Sequence, residues 1–166
     1  MMGSIMIGVG ALLFVLLTVV VVFVLGMRAK SPRVLNAVRR FNHAVINRFQ
    51  MRSAGTPGAY ASVIRHRGRR SGTIYETPVG AVPTDDGFVI ATVYGSNSDW
   101  LKNLLAAGGA TIVHGGETYE VDRPRILPIE AAGSYFPAKD QRAHRRFRID
   151  SCVRVRRMGI AASRAA

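Results

Sequence analysis

The chain has 166 residues, 48% of them hydrophobic and 20% charged, and its 23 Lys and Arg against 10 Asp and Glu leave a net charge of +13. That length allows one ordinary domain plus an appendage, and a single cysteine, Cys152, excludes an intrachain disulfide. Met1 to Met27 carries no charged side chain, so the basic excess belongs entirely to the residues from Arg28 onward.

Within the uncharged segment, Ile5 to Leu25 reads IMIGVGALLFVLLTVVVVFVL. As a helix rising about 1.5 Å per residue it covers roughly 30 Å, the hydrocarbon thickness of a bilayer. Thr18 can return its hydroxyl to the preceding turn. A cleaved signal peptide fits poorly: no Lys or Arg precedes the run, the run is long, and Leu25-Gly26-Met27 is a poor cleavage site. The expectation is one retained transmembrane helix over residues 1–27. Arg28, Lys30, Arg33, Arg39 and Arg40 follow it and nothing basic precedes it. The positive-inside rule then makes this a single-pass protein of the cell membrane with its C-terminal domain in the cytoplasm.

Residues 28–58 form a basic juxtamembrane unit. Val34, Val38, Phe41, Val45 and Phe49 recur at helical spacing and predict an amphipathic helix over Pro32–Arg52. Pro32 after Ser31 suits its start. Such a helix can pack on a core, or lie on anionic headgroups with each basic side chain adding up to about 1 kcal/mol. Ser53 to Gly58 (SAGTPG) reads as a linker.

From Ala59 the apolar period shifts towards two. Strands are predicted over Ala59–His66, Thr73–Val82 and Phe88–Tyr94, with Thr84-Asp85-Asp86-Gly87 as a hairpin turn because Asp-Gly tolerates positive φ. A helix over Asp99–Ala107 stops at Gly108-Gly109. Ala110–His114 and Glu117–Asp122 pair around Gly115-Gly116, and Ile126–Ile129 extends the sheet. Glu130–Tyr135 and Asp140–Phe147 read as short helices, and Cys152–Arg157 as a last strand. Many short antiparallel strands with few helices make residues 59–166 a mainly β (α+β) small barrel with appended helices.

Arg65-His66-Arg67-Gly68-Arg69-Arg70-Ser71-Gly72 puts four arginines in one tight turn. Glycines let a ligand approach the backbone, and guanidinium forks match phosphate or carboxylate. A solvated basic loop facing anionic lipid is the other reading of this turn. Further on, the polar loop Gly95-Ser96-Asn97-Ser98 leads into a helix start, where free N–H groups can bind an anion. Trp100 is the only tryptophan and reads first as a core anchor. His43, His66, His114 and His144 show no metal-ligand spacing, so no metal is expected. Cys152 is expected to be buried and inert. The tether and the lack of interleaved aromatics weigh against nucleic acid as partner of the C-terminal arginines.

The GRRSG turn, Thr77-Pro78-Val79, Asp86-Gly87-Phe88-Val89-Ile90, Asp99-Trp100 with Asn103-Leu104, and Thr111-Ile112-Val113 together resemble the deazaflavin-dependent nitroreductase family of actinobacteria. The resemblance covers about Ala59 to Ile129. It implies a split β-barrel like those of flavin reductases and pyridoxamine-phosphate oxidases, coenzyme F420, and hydride transfer to a lipophilic quinone or nitro acceptor. A polyanionic coenzyme tail suits the basic excess. By the resemblance, Gly68, Arg69, Arg70, Ser71 and Gly72 form the phosphate-side turn, with Ser96 and Asn97 assisting. Thr77, Pro78, Trp100 and Asn103 border the ring; outside the family pattern, Tyr94 at the end of the third predicted strand is the candidate proton donor. Two other readings stay open: a flavin phosphate (FMN) in the same barrel, and a non-catalytic module. A homodimer or a membrane-protein partner is compatible with either.

Overall fold

The computed structural model describes residues 2–41 and 47–160. Helix α1 (Met2–Arg28) runs for 27 residues, and Thr18 Oγ1 donates to Phe14 O at 2.8 Å, as its place in an apolar helix requires. Leu13 to Val22 are exposed, whereas Met27 is buried and Phe23 meets Phe147 edge-on at 6.4 Å. The helix ends at Lys30, whose φ is 51°. Ser31 N donates to Gly26 O at 3.0 Å, a closure that satisfies carbonyls at a helix C-terminus.

Helix α2 (Pro32–Phe41) leaves at a bend of 112°. Only the backbone is described for residues 2–10 and 12. Among the described residues no single helix is long and apolar enough to cross a membrane; Leu13–Arg28 joined to Pro32–Val38 reaches that length across the bend. Residues 42–46, with Val45 of the expected stripe, lie outside the described residues, and α3 (Asn47–Gln50) resumes the chain. The stretch read as a linker is tied to the barrel: Gly55 N donates to Ala61 O at 2.7 Å and Gly116 N to Gly55 O at 2.6 Å.

The rest is a curled antiparallel half-barrel. Its strands are β1 (Ser62–Arg67), β2 (Ile74–Val79), β3 (Ala81–Thr84), β4 (Gly87–Ala91), β5 (Gly109–His114), β6 (Glu117–Pro128) and β7 (Ser151–Ile160). They form one seven-stranded sheet in the order β2-β1-β5-β6-β7-β4-β3. The two edge strands, β2 and β3, are joined by Gly80 alone, so the predicted single strand Thr73–Val82 is split between opposite edges of the sheet. Each edge carries a proline, Pro78 and Pro83, where a missing N–H is tolerated.

Alternation sorts the core. Ile64, Phe88, Ile90, Ile112, Val121, Val153 and Val155 point inward, and α4 (Asp99–Ala107) closes the interior with Leu101 and Leu104. On the outer face Val89 and Cys152 pack against a 3-10 helix (Ile129–Tyr135) and α5 (Ala138–Phe147) through Ala132, Phe136 and Ile149. Burial raises the Cys152 thiol pKa, with Glu130 adding to it.

The predicted strands Glu117–Asp122 and Ile126–Ile129 are one strand, β6, with irregular register between Asp122 and Arg125. Arg123 there has φ 50°, and Pro124 sits where a bulge releases it from the ladder. The hairpin before β4 is present, but for a different reason than expected. Gly87 is not at positive φ; a Cβ there would strike Val155 O and lie 2.9 Å from Arg156 Cα. Glycine is required by the close approach of β7. Gly87→Ala is expected to destabilise the fold by about 1–3 kcal/mol, as overpacking does; urea unfolding would measure it, and an unchanged midpoint would show that β7 can yield.

Candidate functional site

Where the two sheet edges meet at Gly80, a cleft of about 250 Å³ opens. Pro78, Val79 and Gly80 form one wall, Ile90 to Tyr94 the other, and Ser98 and Trp100 bring the start of α4 to its floor. Phe136, Asp140 and His144 approach from the outer helices, and Tyr60 from the segment before β1. Tyr60 OH donates to Asp140 Oδ1 at 3.2 Å, and Lys139 Nζ stands 4.7 Å above the Tyr60 ring. Burial pushes the Tyr60 phenol pKa up, and Asp140 pushes it further. The Tyr94 phenol is raised by burial. His144 lies edge-on to Phe136 at 4.8 Å; burial lowers its pKa against the opposing charge of Asp140.

Behind the cleft a polar chain links β1, β2 and α4. Asn103 Oδ1 accepts from Arg69 N at 3.2 Å and from Arg69 Nη1 at 2.8 Å, which fixes the amide orientation. Asn103 Nδ2 therefore donates to His66 Nδ1 at 3.1 Å, leaving His66 Nε2–H to donate to Thr77 Oγ1 at 3.1 Å. Burial lowers the His66 pKa, opposed by Asp99. Arg69 Nη2 also pairs with Asp99 Oδ1 at 3.0 Å.

The turn from Gly68 to Gly72 is closed by Gly68 N to Thr73 O at 2.7 Å and Gly72 N to Gly68 O at 2.8 Å. A Cβ at Gly68 would lie 2.6 Å from Ser71 Oγ and 2.7 Å from Tyr75 Cε2, so only glycine fits. Of the four arginines, Arg65 pairs with Glu76 at 2.7 Å and Arg69 is held inward. Arg67 and Arg70 are exposed and meet no acidic side chain among the described residues.

The sequence-predicted residues thus fall into groups. Pro78, Trp100 and Tyr94 share the cleft. Arg69, Thr77 and Asn103 belong to the polar chain, of which His66 and Asn103 are buried, Thr77 half-buried and Arg69 the exposed end. Gly68, Arg70, Ser71 and Gly72 form the outward turn, while Ser96 and Asn97 are exposed and line no part of the cleft. Ser98, from the same loop, faces the cleft instead. Tyr60 and Asp140 were not foreseen as site residues, because no local pattern marks them; His66 and His144 were weighed only as metal ligands.

The fold and cleft define the class first: a curled half-barrel with a cleft at its seam. A family model described as F420H(2)-dependent quinone reductase matches residues 33–135, more than half of the chain. The chain belongs to that family. No curated protein matches the sequence. Among solved structures it is similar to an F420-H2 dependent reductase (FDR-A), with 13% identity, TM-score 0.46, and coverage of 57% of this chain and 92% of that one. A chain described as a domain-swapped dimer shows 14% identity and TM-score 0.47 over 72% and 97% of the two chains. An F420 reductase shows 12% identity and TM-score 0.42 over 64% and 91%.

The family implies coenzyme F420, and the exposed side of the turn carries two donors of the kind a phosphate takes, the Arg70 guanidinium and the Ser71 hydroxyl. No such fit distinguishes a flavin phosphate, so the alternative cofactor gains nothing from the family.

Asn103→Ala would leave His66 Nδ1 and the Arg69 donors without their partner. It should destabilise by about 1–3 kcal/mol, the penalty for buried unsatisfied groups, readable by chemical denaturation. The two buried histidines set a pH dependence. Their folded pKa values lie below the ordinary 6.5, so the unfolded chain binds more protons and stability is lost as pH falls below about 6.5. A lower urea midpoint at pH 5 than at pH 7.5, with a shallower dependence in His144→Gln, is expected. Identical slopes in variant and parent would acquit His144.

Proposed function

We propose that the chain is a membrane-tethered reductase that uses reduced F420 to reduce a quinone-like lipophilic acceptor in the seam cleft. The observation that carries this is the family match over residues 33–135, on a chain whose Pro78, Tyr94 and Trp100 converge on one cleft. When bound, the reduced deazaflavin supplies the hydride.

The chain's residues supply the rest. Arg70 and Ser71, with Gly68 and Gly72 allowing close approach, hold the coenzyme phosphate, and Ser96 and Asn97 stand at the neighbouring helix start. Arg69 and Asn103 brace the turn from inside. Trp100, Thr77 and Pro78 border the ring. Tyr94, whose phenol keeps its proton because burial raises its pKa, donates that proton to the reduced acceptor oxygen. The hydride would bring both electrons and one hydrogen, the Tyr94 proton would be the second hydrogen of the hydroquinone, and solvent water would reprotonate the phenolate.

The tether is supported by α1, whose apolar side chains from Leu13 to Val22 are exposed. It is supported also by α2, which leaves at 112° with Arg33 and Arg40 exposed, a direction suited to lying along headgroups. The basic residues after α1 support a barrel on the cytoplasmic side.

Fluorescence titration of the detergent-solubilised chain with F420, and with FMN in parallel, tests the cofactor. Arg70→Ala should weaken F420 binding by about 1.5–3 kcal/mol, the worth of a charge-assisted hydrogen bond; unchanged affinity would remove the turn from the site. Tyr94→Phe should keep binding but lower quinone reduction roughly a hundredfold, the low end for a positioned acid. Full turnover in that variant would assign the proton elsewhere.

A further inference from the structure

A second cavity, of about 790 Å³, lies where the end of α1 meets α5 and the 3-10 helix. Four cationic side chains line it, Arg28, Lys30, Arg145 and Arg148, against two acids, Glu130 and Asp150. Lys30 pairs with Asp150, and Arg28 Nη1 donates to Arg146 O at 2.8 Å. Arg145 and Arg148 are exposed and meet no acidic side chain among the described residues. The same lining includes the apolar Ile129 and Ile149, both buried, beside Gln141 and His144.

The backbone points the same way. Lys30 and Arg148 terminate α1 and α5 in the left-handed region, at φ 51° and 52°. Glycine is the residue that suits this position at a helix end, and any side chain is disfavoured there. Among the described residues only three non-glycines adopt it, and two of them line this cavity. At both helix ends a long cation stands where glycine would be more stable. Strain of that kind is characteristic of functional positions.

We propose that this cavity binds the phosphate headgroup of an anionic phospholipid. Arg145 and Arg148 are its principal ligands, Arg28 and Lys30 complete the basic rim, and Ile129 and Ile149 meet the glycerol and first methylenes. Guanidinium forks match a phosphodiester. Apolar lining residues beside the end of the exposed apolar helix α1 favour a lipid over a soluble phosphate. The assignment rests on the membrane tether proposed above. Because His144 lines this cavity as well as the seam cleft, a bound lipid would press on the rear of the redox site.

The test uses the full chain in a nonionic detergent, with dioleoylphosphatidylglycerol or dioleoylphosphatidylcholine added and thermal unfolding followed. The anionic lipid should raise Tm by a few degrees more than the zwitterionic one, as ligand linkage requires. Arg148→Gly should raise Tm without lipid, since it relieves the left-handed backbone, yet diminish the anionic-lipid shift. Adding Arg145→Gln should abolish it, and Arg145→Gln alone, on an exposed helix face, serves if the double variant does not fold. Equal shifts from the two lipids, or an undiminished shift in the double variant, would overturn the site. The same shift from inorganic phosphate at matched concentration would overturn the lipid assignment. Flotation with phosphatidylcholine vesicles reports the tether separately. A chain that does not float but keeps the anionic-lipid shift loses the tether and retains the site.

Discussion

One covalent constraint governs the architecture. Successive Cα atoms are about 3.8 Å apart, and Gly80 alone joins β2 to β3. Those strands are the opposite edges of a seven-stranded sheet, which laid flat would hold its edges roughly 29 Å apart at the usual strand spacing. The sheet has to curl until the edges meet at that residue. Curling creates an interior for Phe88, Ile90, Leu101 and Leu104. It also creates a seam whose walls are the end of β2 and the end of β4, and the cleft lies there.

The hydrogen-bonded chain from Thr77 through His66 and Asn103 to Arg69 is the polar counterpart of that closure. It crosses from sheet to helix inside the protein, and every buried side-chain nitrogen and oxygen among the described residues finds a partner. Its effect reaches the surface. With Arg69 held by Asn103 and Asp99, the turn's conformation is set from the interior, and Arg70 is left to face outward. A run of four arginines that looks uniform in sequence is therefore divided by the fold into two that pair with acids, Arg65 and Arg69, and two that face solvent, Arg67 and Arg70.

That division marks the limit of what the sequence discloses. Local chemistry was legible: Gly115-Gly116 forms its turn at positive φ, and Asp99 and Gly108 bound α4 as expected. The mainly β half-barrel followed from alternation. The break at Gly80 did not, because nothing local distinguishes a glycine inside a strand from one that carries the chain to the far edge of a sheet. The continuity of β6 was hidden because Pro124 looks like an interruption, although a bulge accommodates it. Of the cleft residues, Pro78 and Trp100 belong to the family pattern and Tyr94 was singled out beside it, whereas Tyr60, Asp140 and His144 reach the cleft only through tertiary packing. Glu76 holds Arg65 across the β1–β2 pair, a contact that only the strand register reveals.

A barrel left open at its seam has two free edges, and free edges invite intermolecular strand addition. Here each edge strand contains a proline, Pro78 in β2 and Pro83 in β3. Neither edge can offer an uninterrupted row of donors to a visiting strand. The seam can thus stay open with both of its edges guarded against sheet extension.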